Sequence, residues 1–510
     1  MSLVQTLLQN LQPLQDRLQS QYLNNISNLS ELKVVKKLRL LDQEPCIYPN
    51  EFIKLKQISS DLMSIDWNQF YIADNNLTSP SIVIEDKSCL SIDLSNLPDG
   101  INITLVNCNN ISLCSSTPRL FSDQLITVQN SQVVQITSLH LSNSSSLYVV
   151  NSEDVCINSC RFDHLKLSGI VLRYSLSVEL TNLVFCNCLL SCIFVGEGVS
   201  NYRISLSTFD SCCGRSNWHA PVVVSGRNNI GNSSNLEDLF ASDSYWVKAQ
   251  MLYDMLNSPT KGFIQDNKFI KSKSSGIYLD GAINLIVEGN TITDSSKEGI
   301  CLDYGCFNVL VVGNWITSNG DRYGKTDDDL QKDFVFNYGR DSRGSAKAKL
   351  PGVSIDNSAF CQILSNHIVS NFGSGLKMVR AGFCNLVAYN HIISNNVGQN
   401  DLFHFFGIEL GSAPADVAAL DLDFCGSCHN IIAQNIITGR HYSGIFLTEL
   451  SESNFICDNI ILASSSYSVE SLKFSPSNEF LNNYGNSPSR NSSLSGLAPY
   501  YQGAGLPVFD

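Results

Sequence analysis

The 510-residue sequence predicts an all-β solenoid, a single-stranded parallel β-helix, and two interlocked repeats carry that expectation. The first is Gly-apolar-x-apolar-x, found at Gly276-Ile277-Tyr278-Leu279-Asp280, Gly299–Asp303, Gly352–Asp356, Gly375–Val379, Gly407–Gly411 and Gly444–Thr448. The second is an asparagine register at Asn267, Asn290, Asn314, Asn366, Asn390, Asn435, Asn459 and Asn483, with successive spacings of 23, 24, 52, 24, 45, 24 and 24 residues. The two long spacings read as one unit plus a loop insertion, and a fixed period in the twenties means stacked units.

Within each unit there are two or three runs of four to five residues with period-two alternation, rich in Ile, Val, Leu and Phe and bounded by Gly, Asn and Ser. No unit has room for a helix. Three short strands bent at Gly/Asn corners make one coil, and coils pair in register at roughly 4.8 Å. An Asn at the same corner of every coil can stack as an amide ladder. On these repeats the chain resembles the right-handed β-helix superfamily that includes pectate lyases and polygalacturonases, over residues 100 to 485. The resemblance implies the fold. The Asn-Thr-Asp, Asp-Asp, Gly-His-Gly and Arg-Ile-Lys series of polygalacturonases does not occur here in order, and Lys377-Met378-Val379-Arg380 inverts the last of them. The Trp-Ile-Asp-His signature of pectate lyases is also missing, so neither reaction is implied.

Along the chain, residues 1–60 form an expected N-terminal cap. Val4, Leu7, Leu11, Leu14 and Leu18 follow helical three-four spacing. Such a helix would cover the open first coil, the alternative being a short coiled coil. The β-helix is expected over 61–485, irregular up to about residue 120 and regular from Gln124. Insertions near 228–261 and 320–350 enter just upstream of the Gly-apolar-x-apolar-x strand and should wall a cleft over its outer face. Residues 486–510, rich in Ser, Asn, Gly and Pro, read as a tail that leaves the solenoid.

A net charge of −14 with pI near 5.0, and no basic stripe, disfavours a nucleic-acid partner. The N-terminal residues lack the features of a secretory signal, and no apolar run is long enough to cross a membrane, so a cytoplasmic location is the default expectation. On that footing the 18 cysteines are expected to be reduced, several of them acting as small apolar fillers inside coils. Cys425-Gly-Ser-Cys428-His429 reads as a corner with buried thiols rather than a haem or zinc motif.

In the pattern strand, Ile277, Leu279 and their equivalents point inward, and the third and fifth positions point out. Position five then stacks Asp280, Asp303, Asp356, Val379, Gly411 and Thr448; position three stacks Tyr278, Cys301, Ser354, Lys377, Glu409 and Phe446. Aspartates one coil apart repel one another, which usually accompanies function. The plain alternative is that each Asp caps a corner by accepting from backbone amides. Candidate catalytic residues are Asp280, Asp303, Asp356, Glu409 and Lys377. Carboxylates on adjacent coils match the ~5 Å separation of retaining glycosidases, and Asp356 with Glu409 the ~6.5–9.5 Å of inverting ones. Lys377 and Arg380 suit a sugar carboxylate or the base of a β-elimination. Candidate substrate-binding residues are Arg380, Tyr304, Trp218, His219, His404 and His441, with Phe405 and Phe406 as further stacking surfaces. No cofactor is required; Asp280, Asp303 and Asp356 are candidate Ca²⁺ ligands.

The sequence thus points to a carbohydrate-active enzyme, a glycoside hydrolase or polysaccharide lyase with an oligo- or polysaccharide as its partner. The competing readings are a non-catalytic glycan-binding or structural β-helix and a sugar-acid isomerase or epimerase. The resemblance admits a homo-oligomer such as a trimer, which no residue here specifies.

Overall fold

The computed structural model describes residues 53–54, 81–97, 99–213, 220–225, 259–303, 305–321, 350–356, 358–379, 382, 384–395, 406–411, 427, 429–447, 451, 453–472, 478–485 and 490–492. The expected helical cap, both central insertions and Cys425–Cys428 lie almost wholly outside them. Among the described residues there is no helix.

A complete coil contributes three strands, as in Ile277–Asp280, Ile286–Glu288 and Thr291–Thr293. Each pairs in parallel with its equivalent one coil on, in Ile300–Asp303, Leu310–Val312 and Trp315–Thr317. Fourteen strands, one per coil, form one continuous sheet; the other two columns merge into a second sheet. They merge where Ile436–Leu447 and Ile460–Leu472 run straight through a corner as single long strands, with register shifts on either side of His441. The result is the parallel β-helix that the repeats predict. Regular pairing begins earlier than the sequence suggests, because Ile82 pairs with Ile103 and Ile103 with Ile126. It also extends further, since Arg490–Ser492 pairs with Glu470–Leu472 where a departing tail was expected.

Corners follow a simple rule. The residue ahead of the ladder asparagine is left-handed, with φ of 56° at Asp266, 64° at Gly289, 63° at Gly313 and 54° at Ser365. That turn aims the next side chain inward. Asn290 N and Nδ2 then both donate to Asn314 Oδ1, at 2.9 and 3.0 Å, while Nδ2 also reaches Ile264 O at 2.8 Å. The same linkage joins Asn267 through Asn483, all eight positions of the sequence register. Two further ladders occupy other corners, Asn385–Asn430–Asn454–Asn478 and Asn319–Asn371–Asn395. The pattern glycines pack against the third. A Cβ on Gly299 would meet Ile316 Cγ2 at 2.5 Å, Gly352 O at 2.8 Å and Asn319 Nδ2 at 3.1 Å, so only glycine fits.

The core is a stack of like residues. Phe162, Phe185, Phe209 and Phe269 lie face to face with ring centroids 4.3, 5.2 and 4.7 Å apart. The same column continues as Ile292, Ile316, Ile368 and Ile392. Replacing Phe209 by isoleucine swaps one half of the column for the other. It removes two ring contacts and should cost about 1–2 kcal/mol in a urea titration. A change below about 0.5 kcal/mol would mean that the stack is incidental.

Candidate functional site

The strands carrying the sequence pattern do stack into the expected columns. Asp280 pairs with Asp303 and Leu302 with Ile355, which sets Asp356 beside Asp303; Asp356 then pairs with Val379. In the neighbouring column Tyr278, Cys301, Ser354, Lys377, Glu409 and Phe446 succeed one another. Elsewhere, outward side chains are partly open to water, as in the alternating Asn102–Val106. In Ile277–Asp280, Ile300–Asp303 and Val353–Asp356 both faces are buried. Asp280, Asp303 and Asp356 are 4%, 9% and 7% exposed, so the row lies on a covered face of the solenoid. Beside it an apolar cluster of Ala220, Val223, Tyr278 and Cys301, separate from the main core, packs on the outer surface.

The row is tied together by side chains of adjoining coils. Ser225 Oγ donates to Asp280 Oδ2 at 3.2 Å and Tyr278 Oη to Asp303 Oδ2 at 2.9 Å. Lys377 Nζ lies 2.7 Å from Glu409 Oε1, while Ser374 Oγ donates to Glu409 Oε2 at 2.9 Å. Glu409 is buried, whereas the Lys377 side chain keeps about a third of its surface in water. Burial pushes the Cys301 thiol well above the ordinary range; Glu298, Asp303 and Asp356 push the same way and Lys297 opposes them. Glu298, Asp303, Asp356 and Lys297 thus all lie near that thiol. At the ~4.8 Å coil spacing, two carboxylates in an effective dielectric of about 20 repel by about 3 kcal/mol. An arrangement like this needs counter-charge.

Sequence reasoning missed part of the cluster. Lys297 and Glu298 are buried in the turn before Gly299, and Ser275 Oγ donates to Glu298 Oε2 at 2.8 Å. The signal was present in the repeat, because Ser275, Glu298 and Ser374 each stand one residue before a pattern glycine. Two expected contacts are corrected. His441 does not reach the outer face: it is fully buried at the inner corner, where its Nε2 accepts from Asn395 N at 3.2 Å and so ends the third ladder. Phe406 is not free to stack on a ligand, since it is buried with its ring 4.1 Å from that of Phe446. Arg380, Tyr304, Trp218, His219, His404 and Phe405 lie outside the described residues.

Along the stack neighbouring aspartates stand about 4.8 Å apart and the first and third about 9.6 Å apart. Among the described residues the one set of three or more ligand atoms all within 4.8 Å of one another is Cys188, Cys192 and Cys212.

The family described as "Right handed beta helix region" matches residues 256–414, the segment that holds this row. No curated protein matches the sequence. Among solved structures the chain is similar to the A-module of a mannuronan C-5 epimerase from Azotobacter vinelandii, at 10% identity and a TM-score of 0.45, covering 81% of this chain and 91% of that one. It is also similar to the catalytic domain of an α-1,3-glucanase, at 11% identity and a TM-score of 0.45, covering 86% and 70%. A surface adhesin of Streptococcus pneumoniae matches at 13% identity and a TM-score of 0.37, covering 75% and 83%. At this distance the likeness concerns general architecture alone.

Proposed function

We propose that the chain is a carbohydrate-active enzyme that performs proton-transfer chemistry on an oligo- or polysaccharide over the face formed by Asp280, Asp303, Asp356, Lys377 and Glu409. One observation carries this reading: three aspartates stand in register on successive coils, on the outward side of their strands, and are yet withdrawn from water. A corner cap needs neither feature, since an Asp that serves only its own turn is content at the surface. Burying and stacking like charges costs stability, and folds keep such costs where a site uses them.

Adjacent-coil carboxylates stand at the ~5 Å separation at which one acts as nucleophile and the other as acid and base in glycoside cleavage. The Lys377–Glu409 pair offers a cation for a uronate carboxylate. With Tyr278 as a neutral hydroxyl donor, the same groups also suit abstraction and return of a proton beside that carboxylate, which is the chemistry of a lyase or an epimerase. An adjacent aspartate pair holding Ca²⁺ would add charge stabilisation in either case. The hydrogen bonds that Ser225 and Tyr278 donate to Asp280 and Asp303 favour one competing reading, a purely structural set of carboxylates in a glycan-binding or scaffold protein.

The test is a panel of neutral and acidic glycans, with and without chelator, read by reducing ends, by absorbance of unsaturated products and by proton exchange at the sugar ring. Asp303→Asn keeps the shape of the side chain and removes its charge. A catalytic role predicts at least about a 100-fold loss of turnover with little change in melting. Full activity in the variant, or glycan binding by the parent with no turnover of any panel member, would reject the enzymatic reading.

A further inference from the structure

A second chemical cluster lies inside the solenoid, two coils before the first aspartate of the row. The inner corner that holds Asn319, Asn371 and Asn395 in later coils is occupied in earlier ones by Leu165, Cys188, Cys212, Ser272 and Ser295, each two residues past the end of its strand. Two successive coils thus place thiols where asparagines later carry the ladder. In the first of these coils the pattern glycine is also replaced. Cys192 occupies the position held by Gly169 one coil earlier and by Gly276 and Gly299 later, as the parallel pairing of Ile170 with Ile193 and Ile277 with Ile300 fixes. At the glycines of this column a Cβ would collide with the corner residue, whereas Ser146 and Pro221 fill the same position in other early coils. Here a third thiol is turned towards that corner instead.

The three sulfurs all lie within 4.8 Å of one another, and the three residues are essentially fully buried. Cys213 follows directly and is also buried; its N–H donates to Cys188 O at 2.7 Å. No disulfide joins the described cysteines. The three thiols come from two columns and converge, Cys188 and Cys212 from the corner column and Cys192 from the glycine column.

We infer that Cys188, Cys192 and Cys212 form an internal Zn²⁺ site, with Cys213 on its fourth side. Thiolates about 2.3 Å from a shared zinc ion stand about 3.8 Å apart, so the observed cluster needs to contract by no more than about 1 Å. Charge favours this cation. Zinc binding joins three thiols to one Zn²⁺ as thiolates and releases their three protons, so the complex carries a single negative charge. A monovalent soft cation on three thiolates would bury twice that charge.

The experiment uses the full chain, purified under reductant, with Zn²⁺ as ligand and Co²⁺ as spectroscopic probe. Metal content should reach about one zinc per chain, with about three protons released per ion in weak buffer and a higher melting temperature. Cobalt should give thiolate charge-transfer and tetrahedral visible bands. Cys192→Gly restores the residue of the sibling coils, and Cys188→Ser with Cys212→Ser copies Ser272 and Ser295. Both variants are therefore compatible with the fold, and both should lose the zinc and the cobalt bands. The inference is overturned by equal zinc content in wild type and both variants, by uptake of monovalent copper without uptake of zinc, or by a disulfide among the three cysteines in peptide mapping. Glycan turnover is not involved, so failure here leaves the aspartate row untouched.

Discussion

Asn366→Ala is expected to lower the unfolding free energy by about 4 kcal/mol. Asn366 Oδ1 accepts from both the backbone N–H and the Nδ2 of Asn314, each at 2.9 Å, and its own Nδ2 donates to Val311 O at 2.9 Å. Truncation removes the side-chain partner of the Asn314 N–H and of Val311 O in a corner with no exposure, at about 1–3 kcal/mol for each group left unpaired, while Asn314 Nδ2 keeps its bonds to Val287 O and Val312 O. Serine should be roughly half as harmful. Ser207 already fills this column, where its hydroxyl accepts from Leu183 N at 3.1 Å and donates to Ser205 O at 2.9 Å. Because each coil touches only its neighbours, the alanine variant should also lose cooperativity, with the coils on either side unfolding separately in urea. A single transition within about 1 kcal/mol of wild type would show that the ladder does not hold the corners.

The second large effect is an acid limb set by His441. Burial holds its imidazole down to about 4, below the ordinary 6.5. Between these values the unfolded chain takes up a proton that the native state refuses, so stability rises with pH across this window and is lost as pH falls from 6.5 to 4. Above 6.5 and below 4 this residue contributes no slope. The full drop is about 3 kcal/mol, from about 1.4 kcal/mol per pH unit. Asn at 441 extends the ladder of Asn319, Asn371 and Asn395 with a residue that does not titrate. His441→Asn should therefore flatten the stability profile between pH 6.5 and 4, while leaving the loss at lower pH caused by Asp163, whose carboxyl is held down by Arg161 and His140 against the opposing effect of burial. A parallel drop in wild type and variant would mean that His441 is already protonated in the fold.

What the sequence revealed follows from how each feature is encoded. The long asparagine ladder was legible at all eight positions because one residue type recurs at one spacing. The third ladder was not. Its column runs through Leu165, Cys188, Cys212, Ser272 and Ser295 before settling on Asn319, and ends at His441, so its chemistry changes while its geometry does not. The first coils looked irregular for a related reason: Ile82 and Ile103 are 21 residues apart, shorter than the later period, and Leu139, Cys160 and Leu183 stand where the long ladder later has Asn. The direction of the aspartates was readable from strand alternation, but their burial was not, since alternation says which way a side chain points and nothing about what lies over it. His441 was misplaced because the strand through Ile436–Leu447 straightens a corner that the repeat would have turned.

Every rung of the asparagine ladders donates in the same sense, from one coil towards the next in the C-terminal direction. Each coil therefore presents an acceptor on one side and a donor pair on the other, like identical connectors in a chain. Copying or deleting a whole coil keeps every connector matched, whereas an insertion or loss within a corner leaves one mismatched. The architecture can thus change length in quantised steps of one repeat, and sequence variation in length is channelled into whole coils or into loops that leave the connectors alone.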